Sequence, residues 1–154
     1  MRLLLALSAA ALMALASPAQ AIEKIPPEAK AVEIITQFLN AARIEDEGKR
    51  LQAVLPLLHK SMKSADGKDL PPNVKRYSYK KACDGAKFYQ VPAKIFEVHK
   101  GNTVTVGFKE TAEKGRTDKY FVEKKAGIAG RPAPLHVFFP ADGGAPTLIN
   151  IGSL

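Results

Sequence analysis

The stretch FYQVPAKIFEVHKGNTVTVGFKET, residues 88–111, marks the place where the chain changes its period. Before it, apolar residues recur every three to four positions; from Phe88 onward they alternate, as side chains do along a strand. FYQVPAKIFEVHK has the length and composition of a strand, but its alternation slips around Ile95-Phe96, which predicts a bulge or bend there. Pro92 cannot donate to a ladder and predicts an edge position or an irregularity nearby. Gly101-Asn102 makes a hairpin turn, after which TVTVGFKET alternates with Val104, Val106 and Phe108 on one face and Glu110 continuing their register. EKGR turns the chain into TDKYFVEKK, where Asp118, Tyr120 and Val122 share a face. LHVFFP and TLINIGSL, separated by the turn ADGGAP, complete a run of five strands.

Working backward, residues 28–45 read as an amphipathic helix. Val32, Ile35, Leu39 and Ala42 recur at helical spacing, and Ile34 and Phe38 widen the stripe. A second helical stretch carries Leu51, Val54, Leu55, Leu58 and Met62 on one face, with Pro56 expected to kink or restart it. SADGKDLPPN is a loop, and Asn73 to about Ala86 suits a third, shorter helix. Helices first and antiparallel strands afterwards predict an α+β domain, with N-terminal helices packed on a curved antiparallel sheet.

The order of these elements allows a comparison. AVEIITQFLNAARIEDEGKRLQAVLPLLHKSM, residues 31–62, resembles the first two helices of the nuclear-transport-factor-2-like superfamily, and the following helix and the meander closing in TLINIGSL resemble the rest of that cone-shaped fold. The likeness is one of element order and patterning and covers nearly all of residues 22–154; a cystatin-like helix on a curved sheet is the nearest competitor. It implies a pocket between helices and concave sheet. Some members of the superfamily use such a pocket for acid–base chemistry through Asp, His or Tyr; many others bind ligands or proteins, or dimerise. No catalytic motif of the enzymatic members is matched here.

The first residues, MRLLLALSAAALMALASPAQA, have the form of a secretory signal. Arg2 is a positive n-region, Leu3–Leu15 an apolar core too short to span a bilayer comfortably, and Ala19-Gln20-Ala21 a small-x-small cleavage site after Pro18. The apolar core is not followed by a lipidation cysteine, so a secreted or periplasmic chain starting at Ile22 is expected. Cleavage leaves 133 residues (154 − 21), enough for one domain with one core and without a membrane-spanning run, and a net charge of +7 (22 − 15). That charge favours anionic partners. Its basic residues are interleaved with acids, as in KETAEKGRTDKYFVEKK, and tryptophan is absent, which argues against a nucleic-acid module.

Few residues look like chemistry. If the resemblance holds, Phe38, Val106, Phe108 and Tyr120 would line the pocket with Glu110 as its polar anchor. An acid–base enzyme of isomerase, dehydratase or hydrolase type would use Glu110 as base with Tyr120 or a histidine. Asp118 reads as a surface charge. His59, His99 and His136 lack metal-like spacing, Ser61, Ser64 and Ser78 lack a nucleophile-elbow context, and GIAGR and DGGAP lack the strand-to-helix setting of a phosphate cradle, so neither metal nor cofactor is expected. Cys83, the single cysteine, falls on the border between an apolar arc (Tyr79, Ala82, Ala86) and a basic one (Arg76, Lys80, Lys87), and reads as an inert packing residue. The leading reading is therefore a binding domain acting through a pocket ligand or through a homodimer on the sheet face. A third, contact with an anionic envelope surface, would use Lys75, Arg76, Lys80, Lys81 and Lys87. Protein recovered from its native host is expected to begin at Ile22. N-terminal sequencing checks this, and recovery of an intact Met1 terminus would overturn the export reading.

Overall fold

The computed structural model describes residues 22–154; the leader sequence, residues 1–21, lies outside the described residues. Three helices, α1 (Ala29–Ala41), α2 (Glu47–Val54) and α3 (Lys80–Ala86), pack on one face of an antiparallel sheet. Its strands are β1 (Lys24–Ile25), β2 (Ile95–His99), β3 (Thr103–Val106), β4 (Glu113–Val122), β5 (Ala133–Pro140) and β6 (Thr147–Asn150). The order across the sheet is β1-β2-β4-β5-β6, with β3 pairing the first half of β4. The α+β class expected from the change of period is thus what the chain adopts. The ten-residue β4 is the spine, pairing β3 and then β2 along one edge and β5 along the other, from Gly115↔Pro140 to Val122↔Ala133.

The helical stripe of α1 is the upper half of the core. Ala31, Ile34, Ile35, Phe38 and Leu39 are buried against Val98, Tyr120, Val122, Leu135 and Val137 from the sheet. Burying each large apolar side chain contributes about 1.5–3 kcal/mol, which is what holds a helix without a side-chain N-cap in place. Thr36 adds a polar tie: its hydroxyl donates to Val32 O at 2.8 Å and accepts from Ala93 N at 3.0 Å. The slip expected near Ile95-Phe96 is a bulge between Ile95 and Glu97, and the Val91–Pro92 peptide just before it is cis. Pro56 ends α2 by turning the chain into a 3-10 turn, Leu55–Leu57.

EKGR does not turn the chain but forms the first four residues of β4, paired with β3 from Glu113 to Arg116. Two further expectations need correction. The strand after Asn102 stops at Val106 instead of running to Thr111. Gly107 (φ 88°) and Lys109 (φ 50°) adopt left-handed conformations, and Lys109–Thr111 forms a 3-10 turn in which Thr111 Oγ1 accepts from Phe108 N at 2.9 Å. Val104, within β3, and Phe108, beyond it, are both exposed, Phe108 to 76%. The second correction is Asp118, which is not a surface charge but is completely buried. Its carboxylate accepts from Arg116 Nε at 3.0 and 2.9 Å and from Gly101 N at 3.0 Å. Arg116 also donates to Glu28, and the Tyr120 hydroxyl, on the same face, accepts from Glu28 N at 3.4 Å. Gly101 is required here, since a Cβ would lie 1.6 Å from Thr117 O. One buried carboxylate therefore joins the β2–β3 turn, the centre of β4 and, through Arg116, the residue preceding α1.

Asp118→Ala is expected to destabilise the protein by about 3 kcal/mol, because it removes charge-assisted hydrogen bonds and strands buried donors. Glu110→Ala, at an exposed position, is expected to stay within about 0.5 kcal/mol of the parent. Urea unfolding of the two variants checks the contrast.

Candidate functional site

Phe38 and Tyr120 are fully buried in the packed core, whereas Phe108 and Glu110 are exposed at the far end of the β3–β4 hairpin and Val106 is half-buried. These five residues fall into two environments and do not line one cavity. Burial pushes the Tyr120 phenol up to about 12, so it stays protonated across the physiological range. Glu110 lies in solvent in the Lys109–Thr111 turn, apart from Tyr120.

A different concavity is open. A groove of about 640 Å³ runs between α2 and the segment leading into α3, lined by Glu47 and Arg50 on one side, Asp69, Leu70 and Pro72 at one end, and Lys75, Arg76, Tyr79, Lys80, Cys83 and Asp84 on the other. Its walls follow from local chemistry. Asp46 caps α2, accepting from Lys49 N at 2.7 Å. Arg50 then reaches back to donate from Nη1 to Ile44 O at 2.9 Å, which fixes its guanidinium. Opposite, Val74–Tyr79 is a π-helical turn, with Lys80 N donating to Lys75 O five residues back. A π turn is wider than an α turn, is rare, and occurs mostly as a single turn within a helix. Here it leads into α3 and carries Tyr79, only 3% exposed, at the groove floor.

Three polar groups meet there. The Tyr79 hydroxyl neighbours the Arg50 guanidinium and the Cys83 thiol. Burial pushes the Tyr79 phenol up to about 12, against the opposing pull of Arg50. Burial likewise raises the Cys83 thiol, with Arg50 again opposing. The Arg50 guanidinium is raised in turn, first by its contact with the Tyr79 hydroxyl. That contact lacks hydrogen-bond alignment: Arg50 Nε and Tyr79 Oη are both buried and have no hydrogen-bond partner among the described residues. At the rim, Lys75 pairs with Asp69 (3.3 Å) and Lys80 with Asp84 (2.7 Å).

The basic residues expected to meet an anionic surface are engaged locally. Besides those two pairs, Lys81 donates to Gly152 O at 3.0 Å, Arg76 lies over the Tyr77 ring and Lys87 over the Phe88 ring. Tyr79 and Cys83 are legible in the sequence as an i, i+4 pair. Arg50 is not, because it enters from a different helix across a loop whose path no local pattern specifies.

His59 is almost fully buried. Its Nδ1 accepts from Ser61 N at 3.1 Å and lies 2.8 Å from Ser61 Oγ, so the ring proton sits on Nε2, 3.5 Å from Glu113 Oε2. This arrangement caps the Lys60–Met62 turn, with the ring edge against Phe138. His99 contacts Glu97 (2.9 Å) and the Phe121 ring. Among the described residues no three His, Cys, Asp or Glu side chains gather closely enough to hold a metal, and no helix is long and apolar enough to cross a membrane. Comparison with protein families, curated proteins and solved structures returns no match.

Two titrations follow from these environments. The Cys83 thiol is expected to ionise above the usual value of 9, so alkylation by iodoacetamide at neutral pH should be slower than that of a free cysteine and rise only at alkaline pH; a midpoint below 8 would contradict its burial. His59 and His136 are both depressed below 6.5, chiefly by burial. The unfolded chain therefore binds more protons in the window below 6.5, and stability falls as pH drops through it. A His59→Gln, His136→Gln variant is expected to show a shallower loss between pH 7 and 5 in denaturant titrations.

Proposed function

We propose that the chain is an exported binding domain on the nuclear-transport-factor-2-like plan, and that it takes a small ligand in the groove between α2 and α3, not between α1 and the sheet. Helices on a curved antiparallel sheet and the leader sequence support the plan and the export. The observation that carries the site is the groove floor. The groove is a concavity of about 640 Å³ lined by both apolar residues (Leu70, Pro72, Tyr79) and charged ones (Arg50, Lys75, Asp84), the mixture that small-ligand sites use. Its ionisable groups are also shifted away from chemistry. Tyr79 at about 12 and a thiol above its usual range are both protonated at neutral pH, so the floor offers neither a base nor a nucleophile. The acid–base alternative rested on Glu110, which lies in solvent apart from Tyr120.

Native mass spectrometry of the protein purified gently from its own periplasm is expected to show a mass above that of the chain, lost on denaturation. The same preparation should alkylate at Cys83 more slowly than protein stripped by unfolding and refolding. A retained molecule that leaves Cys83 reactivity unchanged would move binding away from this groove. A bare monomer with unchanged Cys83 would remove the reading, and a dimer would direct attention to the outer sheet face, where Phe96 is 60% exposed.

A further inference from the structure

A sheet edge offers backbone N–H and C=O groups at every second residue to any strand that comes alongside, and folded proteins cover or blunt such edges. This fold covers two of them. β1 lies along β2, pairing Lys24 with His99 and Ile25 with Val98, and Lys100 N donates to Glu23 O at 2.9 Å. β1 itself is two residues long and carries Lys24. Leu58 lies along β6, bridging Leu148, whose carbonyl accepts from His59 N at 2.9 Å. β3 is paired on one side only, by β4.

The register identifies the groups of β3 that remain. Thr117 N donates to Asn102 O at 3.3 Å, so these two residues form a hydrogen-bonded pair. By alternation Val104–Gly115 and Val106–Glu113 are also hydrogen-bonded pairs. Ala141 N donates to Lys114 O at 2.9 Å, which agrees, because it turns Lys114 toward β5 and away from Thr105. The backbone groups of Thr103 and Thr105 therefore point out of the sheet and have no partner among the described residues. The usual guards of an edge are missing. GNTVTVGF, residues 101–108, has neither charge nor proline, and Val104 is 40% exposed.

An extended chain is what such an edge takes, and β3 fits a second β3. Laid antiparallel with outward residues opposite one another, Thr103 faces Thr105 of the copy on both sides of a twofold axis through Val104. Neighbouring registers lose half of these bonds. Centred on Thr103, the next pair would need Gly101 N, which Asp118 holds at 3.0 Å. Centred on Thr105, it would need Gly107, which has left the strand at φ 88°. The chosen register also sets Thr against Thr and Val104 against Val104, pairs that stabilise antiparallel strands. Like charges do not oppose each other along it: Lys100 is neutralised by Glu23 at 2.9 Å, and Lys109 is carried off the strand line by its left-handed backbone.

We propose that β3 is a self-association edge, at which two copies of the chain pair antiparallel through Thr103 and Thr105 about an axis at Val104 and join their sheets into one. The seam is short, so the dimer is weak, with a Kd of about 100 µM, too weak for native mass spectrometry of a dilute sample to retain. The groove between α2 and α3 takes no part in it.

Sedimentation equilibrium of the mature protein from micromolar to millimolar concentration is expected to show a monomer–dimer equilibrium. Thr105→Pro removes an N–H that the chain itself does not use, so it is expected to weaken the dimer about tenfold or more while urea unfolding of the monomer stays near that of the parent. Disulfide trapping tests the register without that variant. In a Cys83→Ala background, the two copies of Val104→Cys would meet at a Cα separation of about 4.5 Å, within disulfide reach. Phe108→Cys lies far from its own copy in this register, although position 108 is the more exposed at 76%. Oxidation is therefore expected to give a covalent dimer at position 104 and not at 108. The proposal is overturned if the protein stays monomeric at millimolar concentration, or if position 108 cross-links as readily as 104. It is also overturned if Thr105→Pro leaves the equilibrium unchanged while Phe96→Ser abolishes it, which would assign the dimer to the outer sheet face.

Discussion

A carboxylate with no access to solvent organises this fold. Removing Asp118 from water costs several kcal/mol, and the cost is offset only because Gly101 N and the Arg116 guanidinium converge on it. Those partners come from the β2–β3 turn and from β4 itself, and Arg116 extends the grip to Glu28 at the entrance to α1. The direction in which α1 leaves the sheet is therefore set by the same ion pair that sets the turn. With that direction fixed, the stripe from Ala31 to Leu39 falls onto Val98, Tyr120 and Leu135, and the space beneath the helix closes.

Closure of that space is why the binding reading moves to the side of the domain. A sheet whose concave face is filled by Phe38, Tyr120 and their neighbours has no room there for a ligand. Room exists where α2 and α3 diverge, and the residues that define it are polar. The lone cysteine is a neighbour of that floor, and burial raises its thiol.

Much of the architecture was readable from local periodicity. The α1 stripe, the break at Pro56, the irregularity at Ile95 and the alternation of most strands depend on spacing within a few residues, and spacing is what a sequence displays; EKGR, whose glycine reads as a turn, instead lies inside β4. Which face of a strand is covered depends on how far the helices reach, and that is where the reading failed. Val104 and Phe108 alternate like core residues, but they lie on a hairpin that extends beyond the helices, so their periodicity has no partner layer. Asp118 alternates with Tyr120 and Val122 and shares their burial; its charge alone points to the surface, because the pairing of Arg116 with it and the approach of Gly101 are tertiary facts. Tyr79 and Cys83 could be placed side by side from helical spacing. Their third neighbour, Arg50, and the π turn that presents Tyr79 could not, since both arise from packing across the loop of residues 63–73.

The end of α3 is held from outside the helix. The Arg43 guanidinium, just past α1, donates to Ala86 O at 2.9 and 3.1 Å and also to Tyr89 O, satisfying carbonyls that a helix terminus leaves open. Lys81 ties the same helix to the Gly152 carbonyl near the end of the chain. One wall of the groove is thus clamped to the core helix and to the final residues, while the other is clamped by Arg50 itself. A molecule entering between them meets surfaces whose backbone freedom was surrendered when the protein folded. Were the groove to hold a ligand, as proposed, the entropy of ordering its walls would have been spent in advance.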